Sequence, residues 1–144
     1  MTQIADLKFQ SEARTRIAVG VHKLSDAVSV TLGPKGKNVA IIKEGQRPHL
    51  TKDGVTVANA INLRDPFENL GCQIVKEAAQ RSADVAGDGT TTSTVIAAQL
   101  LDEGNRLLET GHDARQVVAG IESACNQVLE SLESSRIDLD TEGQ

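Results

Sequence analysis

The chain has no tryptophan and no tyrosine, and Phe9 and Phe67 are its only aromatic residues. Its core must therefore be built from Val, Ile, Leu and Ala. No apolar run approaches membrane-spanning length. Met1 to Gln10 lacks the charged and apolar regions of a signal peptide. The two cysteines, Cys72 and Cys125, form no CxxC pair. Both fall at apolar positions of helical patterns, which predicts buried free thiols rather than a disulfide. The formal net charge is −5, with no Lys/Arg run and no aromatic stacking platform, so nothing marks a nucleic-acid footprint. The phosphate-binding pattern GxxxxGK[ST] occurs nowhere. At 144 residues the chain is one domain or part of a larger one, and it reads as cytoplasmic.

What is present is helical patterning. Ile4 to Phe9 alternate weakly and predict a short strand. Ser11 opens a helix through about Leu32, with Ile17, Val21, Leu24 and Val28 on one stripe and His22, Lys23 and Asp26 on a solvated face. Pro34 stops it, between Gly33 and Gly36. Val39–Ile42 and His49–Thr51 flank a polar tip and predict a hairpin, followed by a short helix over Val55–Ile61.

Asp65-Pro66-Phe67-Glu68 is a helix start with an acidic N-cap and proline at the first helical position. That helix runs to about Val85, with Leu70, Ile74, Val75, Ala78 and Ser82 expected inside. The next, from about Gly89 to Glu109, carries Val95, Ala98, Leu101, Leu107 and Leu108. Asp113 caps a last helix with Val117, Ile121, Ala124, Val128 and Leu132. Gly20, Gly71, Gly104 and Gly120 lie inside helices, at a cost of about 1 kcal/mol each relative to Ala. They predict close helix–helix approaches. Residues 134–144 form a polar tail.

The stretch with the most chemistry is Gly87-Asp88-Gly89-Thr90-Thr91-Thr92-Ser93-Thr94. Hydroxyl residues open a helix whose unpaired amides and partial positive charge suit an anion. Hydroxyls donate to phosphate oxygens, and Asp88 is a candidate ligand for Mg²⁺. From these residues alone, two readings stay open: a phosphate site, and an Asp88 N-cap on a Thr-rich helix start.

Three separated motifs are read together: Thr31-Leu32-Gly33-Pro34-Lys35-Gly36-Lys37-Asn38, Thr51-Lys52-Asp53-Gly54-Val55-Thr56-Val57-Ala58, and Gly87-Asp88-Gly89-Thr90-Thr91-Thr92. Their order and spacing closely resemble the N-terminal part of a chaperonin of the bacterial, group I type. Phe67-Glu68-Asn69 and Gln73-Ile74-Val75-Lys76-Glu77 also match. The resemblance implies a mainly α fold, a long-helix bundle with a small β-hairpin at one edge. Residues 1–133 correspond to the N-terminal half of an equatorial ATP-binding domain, and 134–144 lead toward an intermediate domain.

The resemblance also implies site residues. Thr31, Leu32, Gly33, Pro34 and Lys52 line the nucleotide pocket, and Gly89, Thr90, Thr91 and Thr92 hold the phosphates. Asp88 ligates Mg²⁺, and Asp53 is the catalytic carboxylate, placed to orient attacking water. Thr31, Lys52 and Thr90 are the candidate K⁺ positions. The implied cofactors are ATP, Mg²⁺ and K⁺. The implied partners are ring subunits of the same kind, with unfolded polypeptides and a cochaperonin lid meeting domains outside this sequence; no nucleic acid or membrane is implied. Family members are several times longer, so the chain looks like a fragment of a chaperonin ATPase. It is expected to bind nucleotide weakly and not to turn over alone. The alternative is a non-enzymatic fragment acting by self-association or by joining a ring.

Overall fold

The computed structural model describes residues 9–45 and 47–137. The strand expected over residues 4–9 falls almost wholly outside them. In chain order the elements are α1 (Gln10–Ser29), β1 (Val39–Ile41), β2 (His49–Thr51), α2 (Gly54–Ala60), α3 (Pro66–Ala86), α4 (Thr90–Glu109) and α5 (Ala114–Ser135). The chain divides into two compact units, the boundary falling inside α4 between Asp102 and Glu103.

The first unit is organised by α1 lying against α3. Val21, Leu24 and Val28 of α1 are buried together with Val57 and Ala58 of α2, Cys72 and Val75 of α3, and Ala98 of α4. These are the aliphatic stripe predicted for α1 and small residues from its neighbours. The approach is closest at two glycines. A Cβ on Gly20 would collide with the Glu68 carbonyl, and one on Gly71 with the Ile17 carbonyl. Removing the side chain is what lets the two backbones meet. Glu68, buried at this seam, takes Lys23 at 2.5 Å and Arg16 at 3.5 Å. Lys23 and Asp26 are exposed and His22 is half-buried, in line with the solvated face expected on α1, and His22 pairs with Asp102 at 2.8 Å.

The inner face expected for α3 holds at Val75 and is corrected at the other positions. Leu70 and Ile74 are 48% and 53% exposed, Ala78 is exposed and Ser82 is half-buried, whereas Glu68, Gly71, Cys72, Val75 and Ala79 are buried. The contact is made through the small residues, because only they permit so short a helix–helix distance; the bulkier stripe faces away. α1 also stops earlier than expected, at Ser29. The amides of Thr31 and Leu32 turn back onto Val28 and Ser29, and Lys37 N–H reaches the Val30 carbonyl at 2.7 Å, closing a loop around Pro34.

β1 and β2 pair antiparallel, with Val39 opposite Thr51 and Ile41 opposite His49. α2 starts at Asp53, whose carboxylate accepts from the amides of Val55 and Thr56. Asp65 does the same for Phe67 and Glu68 at the start of α3, with Pro66 following as predicted.

In the second unit, Asp113 caps α5 through the amides of Arg115 and Gln116, as the sequence predicts. Yet no residue of α5 is buried. Val128 and Leu132 of its apolar stripe are exposed, and so is Cys125, against the expectation of a buried thiol. Cys72 is buried as expected, and desolvation pushes its thiol above the ordinary value. A Cβ at Gly104 or Gly120 would meet nothing within 4 Å, so the close approach predicted at these two is not seen among the described residues.

Candidate functional site

Three segments of the first unit converge on a cavity of about 320 Å³. The loop after α1 supplies Thr31, Leu32 and Gly33; the turn from β2 into α2 supplies Lys52, Asp53, Gly54 and Val55; the turn from α3 into α4 supplies Asp88, Gly89, Thr90, Thr91 and Thr92. Every residue given a nucleotide, metal or catalytic role by the resemblance lines this cavity except Pro34, which lies in the same loop outside the lining. Gly54 and Val55 also line it; both belong to the Thr51–Ala58 motif, and that membership is the signal that would have found them.

The α3–α4 turn explains the two glycines around Asp88. Gly87 ends α3 with φ +76° and donates to the Ala83 carbonyl at 2.7 Å; Gly89 has φ +93°. Both lie in the left-handed region that L side chains avoid. The chain thereby reverses within three residues and aims the start of α4 into the cavity. Ser93 N–H donates to the Gly89 carbonyl at 2.8 Å and opens the ladder of α4. The amides of Thr90, Thr91 and Thr92 thus precede the helical ladder, and a 20-residue helix places its partial positive charge behind them.

Asp88 does not act as the helix cap. Its carboxylate accepts from the adjacent Gly89 amide at 2.6 Å, not from the second or third helical residue. The capping reading of the hydroxyl run is therefore set aside. Thr94 and Thr90 are both buried, and the Thr94 hydroxyl donates to the Thr90 carbonyl at 2.8 Å. The Thr90 hydroxyl, on a residue only 6% exposed, has no hydrogen-bond partner. An unmade bond on a buried hydroxyl costs about 1–3 kcal/mol.

Asp53 is held firmly. Oδ1 accepts from Val55 N–H at 3.1 Å, and Oδ2 accepts from Thr56 N–H at 3.0 Å and from the Thr56 hydroxyl. The Thr56 hydroxyl bond is the main reason its carboxyl sits below the ordinary value. A carboxylate offers about four lone-pair sites, so these bonds leave roughly one for another donor. Thr31 donates its hydroxyl to the Val28 carbonyl at 2.7 Å, leaving its oxygen free to accept or to ligate a cation.

Two carboxylates face one lysine across this lining. A phosphate chain alone would be repelled by Asp53 and Asp88; a divalent cation would reverse the sign of that interaction. No cluster of three or more His, Cys, Asp or Glu side chains converges among the described residues. A cation here would complete its shell from phosphate oxygens and water, which is how Mg²⁺ is usually held. The donor set fits Mg²⁺ with a phosphate chain.

The sequence pattern of the TCP-1/cpn60 chaperonin family matches residues 24–144. A crystal structure of a group III chaperonin in the open state is similar to this chain with a TM-score of 0.79 and 28% identity. The match covers 90% of this chain and 26% of that one, so the chain spans about a quarter of the solved chaperonin's length.

Proposed function

The chain belongs to the TCP-1/cpn60 chaperonin family, and from that premise we propose that the cavity at the start of α4 is the phosphate and metal part of a chaperonin ATP site. The observation that carries the reading is the convergence of three chain segments on one cavity that holds two carboxylates and the N-terminus of α4. In this reading the amides and hydroxyls of Thr90, Thr91 and Thr92 bind phosphate oxygens, and Gly89 completes the turn that presents them. Asp88 would hold Mg²⁺, which would supply charge neutralisation on the phosphate oxygens and make the phosphorus more electrophilic. Thr31, Leu32, Gly33 and Lys52 form the opposite wall, and Thr31, Lys52 and Thr90 supply oxygens for K⁺. Asp53 positions water through its remaining lone pair. Its lowered proton affinity makes it an orienting carboxylate rather than a strong base.

The parent protein in this reading is a ring-forming ATPase that assists folding of non-native polypeptides in the cytoplasm. Lys52-Asp53-Gly54-Val55 and Phe67-Glu68-Asn69 favour the bacterial and organellar group. The 144-residue chain alone is expected to bind ATP·Mg weakly without useful turnover. Calorimetric titration of the wild-type chain, Asp88→Ala and Thr90→Val with ATP and MgCl₂ tests this. Asp88→Ala should abolish metal-dependent binding. Thr90→Val should weaken binding while leaving stability unchanged or raised, because the lost hydroxyl has no partner to forfeit. Binding unaffected by both substitutions refutes the reading.

Exposed Leu70, Ile74, Val85, Ile96 and Leu100 favour a second reading, a fragment that associates with itself or with a ring. Light scattering showing a concentration-independent monomer counts against it, and Asp88→Ala should leave association unchanged.

A further inference from the structure

A second cavity, of about 300 Å³, lies in the first unit between the β-hairpin and α2. Its size is at the lower end for small-molecule pockets, about 300–1,000 Å³. Lys43, Arg47 and His49 line it, with Ile41, Thr56 and Asn59. The register explains the grouping. Ile41 and His49 are partners across the ladder, and Lys43 and Arg47 lie two residues further toward the turn on either side. Lys43 and Arg47 lie just beyond the paired strands and line the same cavity as His49.

Neither Lys43, Arg47 nor His49 forms an ion pair among the described residues. Glu44, the nearest acid in sequence, is exposed and outside the lining. Thr56 has committed its proton to Asp53, so the donors facing the cavity are the Lys43 ammonium, the Arg47 guanidinium, the His49 ring and the Asn59 amide. A planar fork beside a point charge, with a neutral amide to fix orientation, matches a tetrahedral dianion better than a single carboxylate. Ile41 gives the molecule carrying it an apolar contact.

We propose that the cleft formed by Lys43, Arg47, His49 and Asn59 binds the phosphoryl group of a small phosphorylated molecule, at a site separate from the cavity at the start of α4. The test is ¹H–¹⁵N NMR of the full chain titrated with inorganic phosphate against sodium chloride of matched ionic strength. The expected result is saturable shifts at Lys43, His49 and Asn59 with phosphate and not with chloride. The Lys43→Ala/Arg47→Ala double variant should bind about tenfold more weakly or worse, since two charge-assisted bonds are lost. Asp88→Ala should bind phosphate here as the wild type does, whatever happens at the other cavity. Single Lys43→Gln and Arg47→Gln variants, each intermediate, serve if the double variant does not fold. Shifts confined to Thr90–Thr92, no saturable shift at the hairpin, or saturation unchanged in the Lys43 and Arg47 variants would overturn the proposal. Equal saturation by acetate would overturn the phosphoryl assignment.

Discussion

The α1–α3 seam and helix α5 start from the same materials and end differently. Both have aliphatic residues at helical spacing, an interior glycine and an aspartate cap. At the seam the glycines touch backbone and the stripe of α1 is buried. On α5, Gly120 touches nothing and no residue is buried. An amphipathic pattern therefore states which face wants cover and not whether cover is at hand. Interior glycine is equally ambiguous, being a contact in one place and only a propensity cost in the other.

The largest expected contrast comes from truncating the two stripes. Leu24→Ala empties a fully buried position and should cost about 2–5 kcal/mol. Leu132→Ala, at a position 63% exposed, should stay within about 0.5 kcal/mol. Urea unfolding followed by circular dichroism reads both, and similar losses would break the contrast. Next come the glycines. Gly71→Ala forces a methyl into the Ile17 carbonyl and should destabilise by about 1–3 kcal/mol. Gly120→Ala, in open space on a helix, should stabilise by up to about 1 kcal/mol. Opposite signs in the same melt are the sharpest form of the comparison.

The smallest effect is an acid limb. The Asp53 carboxyl is lowered in the folded chain, so its contribution is present above the unfolded value of about 4 and is lost as pH falls through the folded one. Asp53→Asn should flatten stability against pH in that acid range and leave its shape near neutrality unchanged. An acid limb unchanged in Thr56→Val, which removes the hydroxyl donor, would show that Thr56 is not the cause.

Local signals were legible where local chemistry decides. Asp53, Asp65 and Asp113 start their helices as read, and Gly87 ends α3 in the left-handed conformation. The convergence of Thr31–Gly33, Lys52–Asp53 and Asp88–Thr92 on one cavity was legible only because three motifs were taken together; no single one implies the others. The α3 face was misread because hydrophobicity favours Leu70 and Ile74, while packing distance favoured Gly71, Cys72 and Ala79. Cys125 was misplaced for the reason α5 was: its pattern promises burial that no neighbour supplies. The basic cleft escaped notice because Lys43, Arg47 and His49 form no run; pairing of β1 with β2 is what groups them.

Gly54 sits where the three segments around the cavity meet. A methyl there would strike the Thr91 hydroxyl and crowd that of Thr31. All three chain segments around the cavity are thus gauged against one missing side chain, as blocks are set against a shim. Widening the chamber by design would begin at this position, with Ala and then Ser wedging the segments apart by degrees, and the mouth of α4 would be the first part to feel it.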